Sequence, residues 1–184
     1  MDTIGISYGR FNPPHKGHVA VWEQVATCDH FYIGTNPNTS GVKDPLPFDI
    51  KIHLMGLLCP TIQSHIKAEQ NLFSLITTVY NIHGGNNELR VYTDEEWLVN
   101  SILKYNGVLS KHGYYYFKKI VNIHTDRLCS STLLRNAVKN QDKITFYQIS
   151  GIPVDTEISI NNRVYKFFDI IEEFIEWKRN YNGW

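Results

Sequence analysis

The chain has 184 residues, enough for one packed domain or one domain with a short appendage. Hydrophobic residues make up 42% of it and aromatics 13%, a balance that excludes intrinsic disorder. Lys and Arg number 18, as do Asp and Glu, so no chain-wide positive field draws it to nucleic acid or anionic membrane, and any positive site must be local.

Thr3 to Tyr8 is short and mostly apolar and runs straight into Gly9-Arg10-Phe11-Asn12-Pro13-Pro14, the pattern of a strand ending in a Gly/Pro turn. Val19, Trp22, Val25 and Ala26 follow at spacings of three and four, which predicts an amphipathic helix. Phe31–Gly34 is a second strand, and the opening therefore reads as a βαβ unit. A polar loop from Thr35 to Pro47 comes next, long enough to be functional or mobile. Phe48 to Leu58 is helical by spacing and stops at Pro60. Ile66–Ala68 predicts a short strand, Asn71–Ile82 a helix, Leu89–Thr93 a strand and Asp94–Tyr105 a helix. Ile120–Ile123 predicts another strand, and Ser130-Ser131-Thr132 opens a helix to about Asn140.

This alternation predicts an α/β chain with a Rossmann-like doubly wound parallel sheet. After Gly151 the texture changes. Glu157–Ile160 and Arg163–Lys166 flank Asn161-Asn162 as a hairpin would, and a helix carrying Phe168, Ile171, Phe174, Ile175 and Trp177 closes the chain. The division expected is a main domain over 1–150 and a small hairpin-plus-helix appendage, 151–184, packed on it. Cys28, Cys59 and Cys129 are odd in number and form no CxxC pair, which suits a reducing compartment. With no signal-peptide pattern and no apolar run of about 20 residues, the expected location is the cytoplasm.

Two stretches carry chemistry. Gly9 to His18 sits where the first strand hands over to a helix, the usual ligand position in an open α/β sheet. Backbone N–H groups at a helix start attract anions, Gly9 permits close approach, and His15 and His18 share a helix face from which both can donate to phosphate. The alternatives are two solvent-facing residues in a tight turn, or half of a zinc site lacking a third ligand at any recognisable spacing. The second stretch is Ser130-Ser131-Thr132-Leu133-Leu134-Arg135. Its hydroxyls cap a helix, while Arg135, one turn on, adds a guanidinium suited to a di- or triphosphate.

Taken together, the two stretches are far more specific. Gly9–His18 resembles the GxFxPxHxGH signature of the HxGH nucleotidylyltransferase superfamily, and Cys129–Arg135 resembles its second signature, ISSTxxR. Within that superfamily the chain looks most like archaeal-type nicotinamide-mononucleotide adenylyltransferases, and it is also similar to a group of bacteriophage nucleotidyltransferases. The likeness covers roughly residues 3–140. Lys51 stands where the relatives carry arginine, Cys129 replaces isoleucine, and nothing after Gly151 aligns.

The resemblance implies an HxGH nucleotidyltransferase fold and an enzyme joining a nucleotide to a phosphorylated small molecule with release of pyrophosphate. The leading expectation is NMN plus ATP to NAD. Alternatives are adenylyl or cytidylyl transfer to another phosphorylated acceptor, or a catalytically idle nucleotide-binding relative. His15, His18 and Arg135 are the implied catalytic residues. Gly9, Arg10, Phe11, Gly17, Lys51, Ser130, Ser131 and Thr132 are the implied nucleotide- and phosphate-binding residues. Magnesium is expected with ATP rather than on protein ligands. The implied partners are ATP and the phosphorylated acceptor, with no nucleic acid, no membrane and a possible homo-oligomer through the Phe174 and Trp177 face. If the chain is bacteriophage-encoded, its compartment is the host cytoplasm.

Asp94 and Trp97 are candidates for the second substrate. Trp97 either stacks on a base or packs into the core, and Asp94 either binds a ribose or amide or caps its helix. Lys43 reads as a solvated loop residue. Tyr114–Phe117 with Lys118-Lys119 reads as a half-buried strand or surface patch rather than a nucleic-acid platform.

Overall fold

The computed structural model describes residues 1–39, 41, 43–126 and 129–181. The chain packs as two compact units. The first comprises Met1–Gly9, Ala20–Pro37 and Cys59–Arg127, and the second Arg10–Val19, Asn38–Leu58 and Leu128–Trp184.

The first unit is built on five parallel strands: β1 (Thr3–Tyr8), β2 (His30–Thr35), β3 (Ile66–Ala68), β4 (Glu88–Thr93) and β5 (Lys119–His124). Their order is β3-β2-β1-β4-β5, a Rossmann-like sheet whose strand order reverses between β1 and β4. The two faces of β1 are covered differently, and the reason is in its residues. Ile4 and Ile6 join Leu75, Ile76 and Val79 of α3 (Leu72–His83) and Val99 and Ile102 of α4 (Glu96–Tyr105) in one apolar cluster. On the opposite face, a Cβ on Gly5 would come within 2.9 Å of the Val25 carbonyl oxygen. Helix α1 (Lys16–Val25) can therefore lie against β1 only because position 5 carries no side chain. Asn71 caps α3 reciprocally with Ser74.

The second unit is helical with one hairpin. It holds α2 (Phe48–Leu58), α5 (Ser131–Lys139), α6 (Lys143–Ser150), β6 (Glu157–Ile160), β7 (Arg163–Lys166) and α7 (Phe167–Tyr181). Its core joins Leu54 of α2, Leu134 and Val138 of α5, Phe146 of α6, Ile158 of β6 and Phe168 of α7. Each fully buried side chain of this size contributes about 1.5–3 kcal/mol. Residues on both sides of position 150 share this core. The hairpin turn is Asn161-Asn162, with φ of 51° and 63°. A two-residue turn of type I′ needs positive φ at both positions, and Asn is among the residues that tolerate it.

Most elements lie where the sequence places them, with four differences. A short 3₁₀ turn occupies Pro60–His65. Helix α4 begins at Glu96, with Glu95 rather than Asp94 as its N-cap. Residues 114–117 have no regular secondary structure and are not part of a sheet strand; Tyr115 and Phe117 are buried, Tyr114 and Tyr116 exposed. Helix α6 has no counterpart among the expected elements. Its sequence, KITFYQIS, is rich in β-branched and aromatic residues of modest helix propensity, and of its apolar residues only Phe146 is fully buried. No helix among the described residues is long and apolar enough to cross a membrane.

Candidate functional site

The site forms inside the second unit, where the Arg10–Val19 segment meets the start of α5 and the loop residues 43–46. The turn between β1 and α1 carries a cis Asn12–Pro13 peptide, and Phe11 has φ of 49°. Two cross-links fix this turn. The Asn12 side chain, 1% exposed, donates from Nδ2 to the Leu46 carbonyl (3.0 Å) and accepts from the Leu46 N–H at Oδ1 (2.9 Å). The Ser131 hydroxyl donates to the Pro13 carbonyl at 2.9 Å.

His15 ends the turn and His18 lies in the first turn of α1, so the two rings come together at the helix start. The Gly17 N–H donates to His15 Nδ1, and the His15 N–H donates to His18 Nδ1, both at 3.2 Å. In the neutral imidazole an acceptor at Nδ1 leaves the proton on Nε2. Each ring is thereby held as an Nε2–H donor.

The His15 ring is 2% exposed, and its Nε2 has no hydrogen-bond partner among the described residues. Burial pushes its pKa down to about 4, so it is neutral at physiological pH. Phe11 meets the His18 ring edge-on with centroids 4.9 Å apart. Space at Gly17 is tight: a Cβ there would lie 3.1 Å from the His15 ring and 3.2 Å from Cys129 Cβ.

Helix α5 brings the second set of residues to the same turn. Ser130 is its N-cap, and its hydroxyl accepts the Thr132 N–H at 3.2 Å. Arg135 is buried and donates from Nη1 to the Asn12 carbonyl (2.8 Å) and the Lys43 carbonyl (3.4 Å), and from Nη2 to the Thr132 hydroxyl (3.0 Å). Burial, and secondarily the charge of Arg10, press its pKa down against the opposing pull of Asp44. Arg10 itself is exposed and Lys43 is exposed.

Lys51 is fully buried on α2, its ammonium 5.5 Å from the centre of the Phe48 ring. Burial lowers its pKa to about 8, and Asp44 works against that shift. Asp44 also faces Lys178 of α7, which is 7% exposed and donates to the carbonyls of Thr39, Gly41 and Asp44.

His15, His18, Gly17, Ser131, Thr132 and Arg135 are therefore gathered at one turn. Gly9 belongs to the first unit, where its N–H donates to the Gly34 carbonyl and its carbonyl accepts from the Thr35 hydroxyl. Asp94 and Trp97 belong to that unit too. Trp97 is 63% exposed, which excludes core packing for it, and Asp94 is not the cap of α4. Among the described residues no three His, Cys, Asp or Glu side chains gather to hold a metal ion, so there the histidine pair meets no third ligand.

Two contributors escape a motif reading. Asn12 occupies a variable position of the first signature. Lys178 falls seven and three residues along from Ile171 and Ile175 on the apolar face of the last helix, and that placement of a charge is the available signal.

No protein-family model matches the chain, and no curated protein matches it. Among solved structures it is similar to one described as a candidate nicotinate-nucleotide adenylyltransferase from Vibrio parahaemolyticus. The identity is 16%, 79% of this chain and 86% of that one are covered, and the TM-score is 0.47. At that distance the likeness carries no weight for function.

Proposed function

We propose that the chain is a nucleotidyltransferase that joins a nucleoside triphosphate to a phosphorylated small molecule, with NMN adenylyltransferase as the leading assignment. The observation that carries this reading is the His15 Nε2 donor, buried and without a partner among the described residues, stacked on a second imidazole at a helix start. A buried N–H left unsatisfied costs about 1–3 kcal/mol, which a phosphate oxygen would offset. Imidazole donors, a helix N-terminus and the Ser131, Thr132 and Arg135 side chains form a set suited to a polyphosphate.

The reaction needs little covalent chemistry from the protein. An oxygen of the acceptor phosphate, already ionised at neutral pH, attacks the α-phosphorus of ATP. A new P–O bond forms, the bond between the α-phosphorus and its bridging oxygen breaks, and pyrophosphate leaves carrying the electron pair. No general base is required. His15 and His18 donate to the phosphoryl oxygens, while Ser131, Thr132 and Arg135 hold the leaving phosphates; Arg10 and Lys51 supply further positive charge. Magnesium arrives as part of the substrate, MgATP, held by phosphate oxygens and water. Asp94 and Trp97 are the proposed contacts to the second substrate.

Pyrophosphate release with MgATP, measured against NMN, nicotinate mononucleotide, phosphopantetheine, flavin mononucleotide and glycerol phosphate, with CTP in parallel, tests the reading. NAD formed from NMN is the expected result. Release with another acceptor only would move the assignment within the class, and ATP binding without turnover on any acceptor would favour an idle nucleotide-binding relative.

A further inference from the structure

We infer that Lys178, in the last helix, is a positioning residue for the His15–His18 turn, acting on it through Asp44 and its loop neighbours Lys43 and Leu46. The connection alternates hydrogen bonds with one to three residues of backbone. The Lys178 ammonium donates to the carbonyls of Thr39, Gly41 and Asp44, three points along one loop. One residue before Asp44, the Lys43 carbonyl accepts from Arg135, whose same Nη1 also donates to the Asn12 carbonyl. Two residues beyond Asp44, both backbone polar groups of Leu46 are taken by the Asn12 side chain. Asn12 lies three residues before His15.

The chemistry of the residue fits this task. A lysine head is a compact point charge with three rotatable donors, able to collect three carbonyls that no fixed fork would match. Its stem continues the apolar face of Ile171 and Ile175, which anchors the head against a packed core. A lysine that served only solubility would hold its ammonium in water, whereas this one is 7% exposed.

The inference deepens the reading proposed above, on which its kinetic readout rests; its exchange readout does not depend on any substrate. The test uses the full chain and the variants Lys178→Met, which keeps the stem and removes the donors, and Lys178→Arg, which restores donors. Backbone hydrogen exchange is followed at Leu46 and, as an internal reference, at Phe146 in the core of the same unit. In Lys178→Met the Leu46 amide is expected to exchange about tenfold faster while Phe146 keeps its protection, and Lys178→Arg is expected to recover part of the loss. With MgATP and the acceptor, KM for ATP is expected to rise about tenfold, with kcat less affected.

Unchanged exchange at Leu46, or loosening at Leu46 only in step with Phe146, would overturn the positioning role. If the methionine variant does not fold, Lys178→Gln, which retains a donor, carries the same comparison with a smaller expected loosening. Faster exchange at Leu46 in a chain that turns over no acceptor would keep the positioning role and discard the proposed reaction.

Discussion

His15 and His18 lie face to face, ring centroids 3.6 Å apart and planes 17° from parallel, and each accepts a backbone N–H at Nδ1. The backbone thus decides the tautomer of both rings before any ligand arrives. It also excludes stacking of two full positive charges at contact distance, since burial keeps His15 neutral.

From this relationship, His18→Ala is expected to remove most of kcat, on the order of 100-fold or more, with a modest change in KM for ATP. Steady-state kinetics of pyrophosphate release provide the check. Equal losses in nucleotide binding and turnover would take His18 out of the transition state.

Acid stability follows from His15. Its pKa falls from the ordinary 6.5 to about 4 on folding. Between those values the unfolded chain binds a proton that the folded chain does not, so this contribution is complete above pH 6.5 and is lost as pH falls towards 4. The full loss amounts to about 3 kcal/mol. Urea unfolding at pH 7 and pH 5 should show a shallower pH dependence for His15→Gln than for the parent; identical slopes would mean the ring is not buried in solution.

Lys51 acts at the other end of the scale. Burial lowers its pKa from 10.5 to about 8, so between those values the unfolded chain again holds the extra proton. Stability from this group therefore rises as pH increases from 8 to 10.5, by up to about 3 kcal/mol. Lys51→Met is expected to lack that rise and to be no less stable than the parent at pH 7, while binding ATP more weakly. Unaltered ATP affinity in the variant would remove Lys51 from the phosphate site.

Gly17→Ala would put a methyl group 3.1 Å from the His15 ring and 3.2 Å from Cys129 Cβ, closer than packed carbons comfortably sit. The expected cost is about 1–3 kcal/mol of stability together with loss of turnover. A variant that unfolds at the parent's urea midpoint and keeps its activity would show that the ring has room to move.

Arg135→Ala removes the guanidinium donors and is expected to weaken ATP binding more than it slows the chemical step, measured by calorimetric titration beside single-turnover rates. Because Arg135 also holds the Asn12 and Lys43 carbonyls, some loss of stability should accompany it. Unchanged nucleotide affinity would refute its proposed role.

Much of the fold and of the histidine turn is legible in the order of the residues. Short periodic segments mark the strands and most helices, because each strand of a covered parallel sheet must be apolar and each helix must show one apolar face. Asn161-Asn162 announces its turn through the rare backbone angles it tolerates. The residues of both signatures are visible too, and the fold gathers His15, His18 and Arg135 at one turn. What stays hidden is of two kinds. Helix α6 has no strong periodicity, since packing rather than propensity holds it. The partners of Asn12, Lys51 and Lys178 depend on segments tens of residues away, and a linear pattern carries no record of which carbonyl a buried ammonium or amide will meet.

The Asn12 clamp has a consequence for anyone who would edit or transplant the histidine turn. The signature leaves position 12 open, so a search or a design guided by it would accept alanine there. In this chain that change would strand the N–H and C=O of Leu46 in a closed interior, at about 1–3 kcal/mol for each group left unmet. The ten residues from Gly9 to His18 are thus not a portable cassette. Moved to another scaffold, they would need a foreign backbone to present one donor and one acceptor side by side, as Leu46 does here.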